Sequence, residues 1–320
     1  MTTSLVSILI PSYNSERWIE EALESARAQT WRNWEIIVVD DGSSDNSRSI
    51  LRGFADKRIK LIEQEHHGAS AARNRALSEA QGAFIQFLDA DDLLARDKIE
   101  IQMRRLSEEP PGYVASGAWG RFYELPIKTE FVPEPVWKDL TPVDWLVTSW
   151  QRGGMMPCHS WLTPRSVIEK AGRWDEAIST NDDGEYFTRV ILNSDGVVFC
   201  PDARSYYRSG VPHSLSKRST PEALAATYRS IEASATHLLN KENSPRTRRA
   251  CAALYQQFIY DNYPAMPGLI CDAESRVRSL GGTDHKLLGG GKIFRAIRST
   301  LGWKPARRIQ VVKRKLQAPH

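Results

Sequence analysis

Residues 82–92, with the sequence GAFIQFLDADD, contain the pattern that decides the fold. The largely apolar run at 83–88 predicts a buried strand. It leads directly into Asp89, Asp91 and Asp92, and two alternate carboxylates at a strand end can face one point. Such hard oxygen ligands suit Mg²⁺ or Mn²⁺, ions that also take substrate phosphate oxygens. The alternative interpretation is an acidic turn that caps the following helix.

The segments before this strand alternate strand and helix patterns. Apolar runs predict further strands, and amphipathic spacing or helix-stop signals predict helices between them. The predicted strands are 5–10, 35–39 and 58–62, and the predicted helices are 15–28, 69–80 and 97–106. Apolar strands that alternate with helices indicate a parallel sheet covered on both faces.

Two other polar clusters follow predicted strands. They are Pro11-Ser12-Tyr13-Asn14 and Asp40-Asp41-Gly42-Ser43. Ligands of such sheets bind outside the carboxyl ends of the strands, so these clusters are expected to share one cleft with the 89–92 segment. The Tyr13 ring can stack on a nucleobase or belong to the core. Asp41 can accept hydrogen bonds from a base or a ribose, or close a turn and cap a helix.

The remainder of the chain is less regular at first and then helical. The middle third is rich in Trp and Pro. The patterns predict strands at 158–163, 196–200 and 203–208, and helices at 164–171 and 183–192. A helical pattern runs over 221–278, with breaks near 244–245 and 264–268.

Composition excludes several classes of protein. The 320 residues, 41% hydrophobic and 26% charged, are enough for one large domain or two modest ones. Four widely spaced cysteines do not form a disulfide framework and fit a reducing compartment or buried thiols. No run approaches the length of a membrane-spanning helix. The N-terminal LVSILI is too short for a signal peptide and lacks a basic flank.

The net charge of +4 comes from the C-terminal tail. Residues 286–320 hold ten Lys and Arg and no acidic residue, which leaves 33 basic and 39 acidic residues elsewhere. This distribution argues against a nucleic-acid partner. Within the tail, Phe294, Ile297 and Leu301 share a predicted helical face with basic residues around it. Such a helix can lie on an anionic membrane, stay solvated or contact a partner protein.

Taken together, these segments resemble the inverting glycosyltransferases of family 2. The resemblance covers about residues 4–215 and rests on the motifs ILIPSYN (8–14), IIVVDDGSSD (36–45), GASAARNRAL (68–77), GAFIQFLDADD (82–92) and NDDGEYFTR (181–189). It implies an α/β fold of the GT-A type, with a doubly wound mixed sheet and a mainly helical C-terminal extension. The implied domains are a GT-A domain at 1–215 with nucleotide-binding and acceptor halves meeting near 110, a helical extension at 216–285 and a tail at 286–320.

The resemblance also implies roles at the donor site. Tyr13 and Pro11 would flank the nucleobase, usually uracil, and Asp41, with Asp40, would bond its imide. The complete set of nucleotide contacts is Pro11, Tyr13, Asp40, Asp41, Arg73 and Asp89, where Asp89 bonds the ribose. Arg73 can instead be a structural helix residue. Asp91 would bind the Mn²⁺ or Mg²⁺ that bridges the diphosphate, with His213 as a further ligand or as a plain loop residue.

The implied catalytic base is Asp183, in an acidic pair at a helix start. The helix N-terminus favours its ionised form. The family more often has Glu-Asp where this chain has Asp182-Asp183, and Arg189 matches an Arg six residues later. The acceptor side would include Asp182, which otherwise caps the helix. It would also include Trp174 and His159, unless both simply pack in the core.

The function this implies is transfer of a sugar from a nucleotide donor, with UDP as the expected nucleotide, to a carbohydrate or lipid-linked acceptor. By analogy the setting is surface polysaccharide synthesis in the cytoplasm or at the inner membrane surface. Two alternatives compete: a degenerate binding or scaffolding subunit, and a Mg²⁺-dependent phosphatase of the haloacid-dehalogenase type. The phosphatase interpretation is disfavoured because Asp92 occupies a position where Thr or Val is expected. A dinucleotide-binding dehydrogenase is weaker, because no GxGxxG follows the first strand.

Overall fold

The computed structural model describes residues 4–54, 56–211, 220–285 and 291–317. Its strands are β1 Val6–Ser12, β2 Trp34–Asp41, β3 Ile59–Gln64, β4 Phe84–Phe87, β5 Leu93–Leu94, β6 Tyr113–Phe122, β7 Thr163–Pro164 and β8 Gly196–Arg208. Its helices are α1 Ile19–Arg27, α2 Ser47–Arg52, α3 Ala69–Glu79, α4 Lys98–Ser107, α5 Pro142–Thr148, α6 Arg165–Ala171, α7 Asp182–Leu192, α8 Pro221–Lys241, α9 Pro245–Asn262, α10 Pro267–Ser279, α11 Lys292–Leu301 and α12 Trp303–Gln317.

The central sheet has the strand order β3-β2-β1-β4-β7, with β1 to β4 parallel and β7 antiparallel. Successive side chains point to opposite faces, so Ile8 and Ile10 enter one hydrophobic cluster and Leu9 enters the other. Both faces are therefore covered, as the apolar strands predict. The predicted doubly wound mixed sheet with helices at the C-terminal end is confirmed.

A second sheet, with the order β5-β8-β6, lies beside the first. Backbone hydrogen bonds between Ala115 and Leu162 join the two sheets. The sequence patterns missed β6 altogether and divided β8 into two strands. Within the second sheet, Gly117 of β6 lies close to β8, since a Cβ there would be 2.1 Å from the carbonyl oxygen of Ala203.

The strand predicted at 158–163 is wrong. The chain forms a single 3₁₀ turn at Cys158–Ser160 and only the two-residue β7 after it. Buried glutamines satisfy the turn's carbonyl groups in place of a neighbouring strand: Gln86 donates to the His159 oxygen and Gln102 to the Ser160 oxygen, both at 2.9 Å. These side chains come from distant elements, so no local pattern shows them.

The glutamines surround a buried lysine in α4. Lys98 is fully buried, and its Nζ donates to Gln102 Oε1 at 2.7 Å and to Gln86 Oε1. Burial lowers the pKa of Lys98 well below its usual value. The lysine thereby links Gln102 of α4 to Gln86 of β4. Both glutamines hold the 158–160 turn, which lies next to the 89–92 segment.

The helices α8, α9 and α10 follow the predicted helical region and its breaks. They pack on the main body through the same hydrophobic cluster as the central sheet, contributing Tyr228, Ile231, Cys251 and Phe258. The predicted division of the chain near residue 215 stays a prediction. Within the described ranges, none of the helices has the length and apolar character needed to cross a membrane.

Candidate active site

Polar segments from three parallel strands and one helix meet at the carboxyl edge of the central sheet. They are the residues after β1, the end of β2, residues 89–92 after β4 and the first turn of α7. The sequence predicts the three strand ends to converge, and they do. The α7 segment joins them through Arg73 of α3, which bridges the carboxylates of Asp89 and Asp182.

Arg73 is the central cation of this edge. Its Nη2 donates to Asp89 Oδ1 and its Nη1 to Asp182 Oδ2, each at 2.7 Å. The guanidinium lies over the Trp174 ring, 4.5 Å from its centroid, and only 7% of the side chain is exposed. In this structure the Arg73 side chain organises the carboxylates, and its contact with a nucleotide stays a prediction.

Asp89 is held in its ionised form. Burial acts to raise its pKa, but the charge and hydrogen bond of Arg73 outweigh it and leave that pKa below its usual value. The Cys158 thiol, whose own pKa is raised by burial, lies 3.4 Å from Asp89 Oδ2. The other carboxylate oxygen is already bonded to Arg73, so Asp89 has little freedom to turn.

Asp91 is in the opposite electrostatic state. Burial, with the negative charges of Asp92 and Asp89, raises its pKa to about 8. Among the described residues it has no ion pair. A carboxyl that is costly to ionise, beside a second carboxylate, gains its charge readily when a cation arrives.

Asp183 lies half-buried in the first turn of α7. Burial, followed by the charge of Asp182, raises its pKa to about 6, although Arg73 opposes the shift. The sequence argument from the helix N-terminus alone misses the burial and the neighbouring carboxylate. The result is a carboxylate that is still ionised at neutral pH and more basic than an exposed Asp.

The start of α7 is positioned by α8. Asn181 has a left-handed backbone conformation with φ of 57°. Its Nδ2 donates to Ser230 Oγ, and Ser230 Oγ donates to the Asn181 carbonyl oxygen, both at 2.7 Å. The helical extension therefore fixes the turn that presents Asp182 and Asp183, a role that sequence reasoning did not find.

Tyr13 lies at the edge of the cleft with 46% of its surface exposed, while Pro11 is half-buried. The loop after β1 is tied to the loop after β2: Asn14 N donates to Ser43 Oγ at 2.9 Å, and Ser44 N donates to Asn14 Oδ1 at 2.8 Å. The braced loop therefore holds an exposed aromatic ring at the edge of the cleft.

Asp40 and Asp41 both lie inside the protein. Asp40 is fully buried and accepts hydrogen bonds from Ser43 N at 3.0 Å and Arg48 Nε at 2.7 Å. It closes the turn after β2 and, in this conformation, is inaccessible to a nucleotide. Asp41 is 2% exposed and accepts bonds from the segment 64–68 that leads into α3.

Two residues expected on the acceptor side are in the core. Trp174 is 2% exposed and stacks on Tyr186 with centroids 4.0 Å apart. His159 is fully buried, with its Nδ1 2.8 Å from Asp92 Oδ2. For both, the packing alternative is the observed one, since neither side chain reaches an open surface. His213 lies outside the described residues.

The motif GASAARNRAL contains polar residues besides Arg73 that the sequence analysis did not place at the site. Ser70 also serves the site, donating to Asp182 Oδ2 at 3.0 Å. Asn74 bonds both the N–H and the carbonyl oxygen of Trp174 at 2.9 Å. The positions of both polar residues on a helix facing a predicted cleft were the available signal.

The donor set fits a divalent cation that is held partly by substrate. The described ranges contain no group of three or more His, Cys, Asp or Glu side chains arranged to hold a metal. They do contain the half-buried pair Asp89 and Asp91. One or two carboxylates completed by phosphate oxygens and water is the usual way that proteins bind Mg²⁺ beside a nucleotide.

Comparisons with known proteins find sequence relatives and solved structures of similar fold. A 104-residue segment is 49% identical to UDP-Glc:alpha-D-GlcNAc-diphosphoundecaprenol beta-1,3-glucosyltransferase WfgD of Escherichia coli, covering 32% of this chain and 41% of that relative. S. aureus TarS 1-349, solved in complex with UDP-GlcNAc, superposes with a TM-score of 0.72 at 17% identity, over 98% of this chain and 93% of that one.

A third similar protein is the mannosyltransferase PcManGT from Pyrobaculum calidifontis, solved in complex with GDP-Man and Mn2+. It superposes with a TM-score of 0.52 at 20% identity, covering 96% of this chain and 83% of that one. These likenesses show a shared fold. The sequence model of Glycosyl transferase family 2 matches residues 7–169, which include the three strand-end clusters and Arg73. This chain therefore belongs to glycosyltransferase family 2.

Proposed function

We propose that this chain is an inverting, metal-dependent glycosyltransferase that moves a sugar from a nucleotide diphosphate, most simply UDP, to an acceptor hydroxyl. The observation that carries the proposal is the Arg73 bridge. It holds Asp89, next to the Asp91 carboxyl, against the α7 turn that presents Asp183. A cation-binding pair and a separate base in one cleft are what single displacement of a nucleotide requires.

The proposed base is Asp183. An acceptor hydroxyl is weakly acidic, so a carboxylate must take its proton as the oxygen attacks. The new bond forms between that oxygen and the anomeric carbon, and the bond to the diphosphate oxygen breaks with its electron pair leaving on the nucleotide. Attack opposite the leaving group inverts the anomeric centre. Arg73 holds Asp182 in place beside the base through a hydrogen bond of 2.7 Å.

The leaving diphosphate gains negative charge, which a divalent cation neutralises when bound. Asp91, with Asp89, would hold Mn²⁺ or Mg²⁺ there. This chain's own contribution is a carboxyl whose charge is costly without the cation. The proposal is supported by the Mn2+ of the similar mannosyltransferase structure.

The donor and acceptor are proposed from the relatives. UDP-linked sugars appear in the names of the similar glucosyltransferase and of the TarS complex. The glucosyltransferase acts on a lipid-linked diphosphate acceptor, which supports a lipid-linked or polysaccharide acceptor here. The matched segment spans 41% of that relative, so the donor and acceptor of the whole relative support a proposal for this chain.

Replacing Asp91 by Asn tests the cation site. Titration calorimetry of UDP with Mn²⁺ is expected to show at least about a tenfold weaker affinity for Asp91→Asn, because the amide carries no charge to bind the ion. The affinity without Mn²⁺ should be nearly unchanged. The matched control is Asp97→Asn, an exposed carboxylate six residues away. Equal Mn²⁺-dependent affinity in wild type and Asp91→Asn would remove Asp91 from this role.

The proposed base also predicts a pH profile. Asp183 works as a base only when ionised, and its pKa is raised to about 6. The turnover number is therefore expected to be level near neutral pH and to fall about tenfold per pH unit well below 6. The measurement is the turnover number at saturating substrate between pH 5 and 8. A flat profile down to pH 5 would contradict the assignment.

The proposed membrane contact uses α11 and α12. Phe294 packs inward, whereas Leu301, Ile309 and Val312 are exposed among basic residues. Exposed apolar groups beside cations suit an anionic lipid surface, where each Lys or Arg contributes about 1 kcal/mol. Deleting residues 286–320 is expected to abolish flotation with phosphatidylglycerol vesicles. Unchanged flotation would contradict a membrane contact through these helices.

A further inference from the structure

One side chain in the cleft already makes the contacts that a nucleobase would make. The His66 ring stacks on Tyr13, with centroids 4.1 Å apart and an angle of 23° between the planes. Its Nδ1 lies 2.8 Å from Asp41 Oδ2. A flat ring on Tyr13 and a ring nitrogen at Asp41 are the two contacts assigned above to the donor's base.

The hydrogen-bonding capacity of Asp41 is complete with His66 in place. An ionised carboxylate offers about four lone-pair sites. Gln64 Nε2 and His67 N donate to Oδ1 at 2.7 and 2.9 Å, and Gly68 N donates to Oδ2 at 2.8 Å. Nδ1 of His66 lies at the fourth position, 2.8 Å from Oδ2, and is also 3.2 Å from the carbonyl oxygen of Asp41. Departure of His66 therefore frees one acceptor site on the side of the Tyr13 ring.

The surroundings allow His66 to leave. Its side chain is 54% exposed, whereas Asp41 is held by main-chain donors that stay behind. An open depression of about 650 Å³ lies next to it, lined by Gly42, Arg48, Glu63, Gln64 and Glu65. The imidazole has room to rotate off Tyr13 without a movement of the main chain.

We propose that His66 is an internal occupant of the nucleobase subsite, which a donor base displaces by taking over its stack on Tyr13 and its bond to Asp41. The inference rests on the proposed function. A single-ring base with a ring N–H, such as uracil, reproduces both contacts. Cytosine lacks the ring N–H that would replace Nδ1. A base binds only if its contacts with Tyr13 and Asp41 compensate for those that His66 loses.

The test is the dissociation constant of uridine, measured by titration calorimetry without metal. His66→Ala removes the competitor, and we expect uridine to bind about 3-fold to 30-fold more tightly, as the loss of one stack and one hydrogen bond implies. The matched control is His67→Ala. The side chain of His67 is exposed and its backbone N–H, which the substitution keeps, is what bonds Asp41. His67→Ala should bind uridine as wild type does.

Weaker or unchanged binding of uridine to His66→Ala would overturn the inference. Weaker binding would mean that His66 helps to bind the base, and unchanged binding would mean that it has no effect on the base. The proposed function would survive that result if UDP with Mn²⁺ still bound. Failure of uridine and UDP to bind either protein would overturn both. A second measurement is the NMR signal of His66, which Tyr13 should shift upfield and uridine should release. A shift that persists with uridine bound contradicts displacement.

Discussion

Replacing Asp183 by Asn is expected to lower the turnover number by about 10²–10⁴-fold, the usual contribution of a general base. Asn keeps the shape of the side chain but cannot take the proton of the acceptor hydroxyl. Donor affinity should change little, because the nucleotide contacts lie at the ends of β1, β2 and β4. The measurement is the turnover number together with the dissociation constant of UDP in the presence of Mn²⁺.

The matched control is Asp175→Asn, which changes an exposed carboxylate on the segment that leads to α7. Its side chain is exposed and accepts a bond from Ala177 N. It should keep the wild-type turnover number to within about twofold. If Asp183→Asn stays as active as this control, Asp183 is not the base.

Replacing Arg73 by Ala is expected to lower the free energy of unfolding by about 3 kcal/mol, the lower end of the range for a broken buried ion pair, since it leaves two partly buried carboxylates without their shared cation. Asp89 and Asp182 lose a shared partner at 2.7 Å, and Trp174 loses the group over its ring. Arg73 also lowers the pKa of Asp183, so the acid limb of the pH profile should move to higher pH. Urea unfolding and the pH dependence of turnover measure the two effects.

Arg75→Ala is the control on the same helix. Arg75 is half-exposed and pairs with Glu79 at 3.1 Å on the solvent side of α3. Exposed pairs contribute little, so the free energy of unfolding should change by less than about 1 kcal/mol. An equal effect of the two substitutions would mean that Arg73 acts only as another surface residue. The shift of the pH profile distinguishes its positioning role from plain stability.

The parts of the fold that the sequence predicted are those in which the evidence is local. Apolar runs locate β1, β2 and β4, because a strand buried on both faces needs nearly every residue to be apolar. The carboxylates of Asp89 and Asp91 follow β4 directly, so their position at the sheet edge comes with the strand. In each case the strand and its polar end are adjacent in the chain.

The parts that were missed depend on contacts between distant residues. The turn at Cys158–Ser160 is held by side chains of Gln86 and Gln102, which replace the partner strand that the pattern predicted. Strand β6 contains Gly, Ser and Ala among its apolar residues, because it packs closely against β8. Neither feature has a local signature.

The site shows the same division. The sequence shows which residue types form the site. It does not show that Arg73 pairs with Asp182, because the two residues are 109 positions apart. Residues expected to meet the acceptor, Trp174 and His159, are buried, because aromatic and imidazole rings satisfy packing as readily as binding. His66 has no sequence pattern that points to the cleft, and only the geometry places it on Tyr13.

The decisive test of a metal-dependent nucleotide-sugar site is thermal unfolding in the presence of a nucleoside diphosphate. UDP, GDP, dTDP, CDP and ADP are each added with and without Mn²⁺. A ligand at one hundred times its dissociation constant stabilises the folded state by about 2.7 kcal/mol, which raises the melting temperature measurably. We expect a rise with UDP that requires Mn²⁺ and that Asp91→Asn abolishes. The same melting temperature with all five diphosphates, with or without Mn²⁺, would contradict a nucleotide-sugar site at this edge of the sheet.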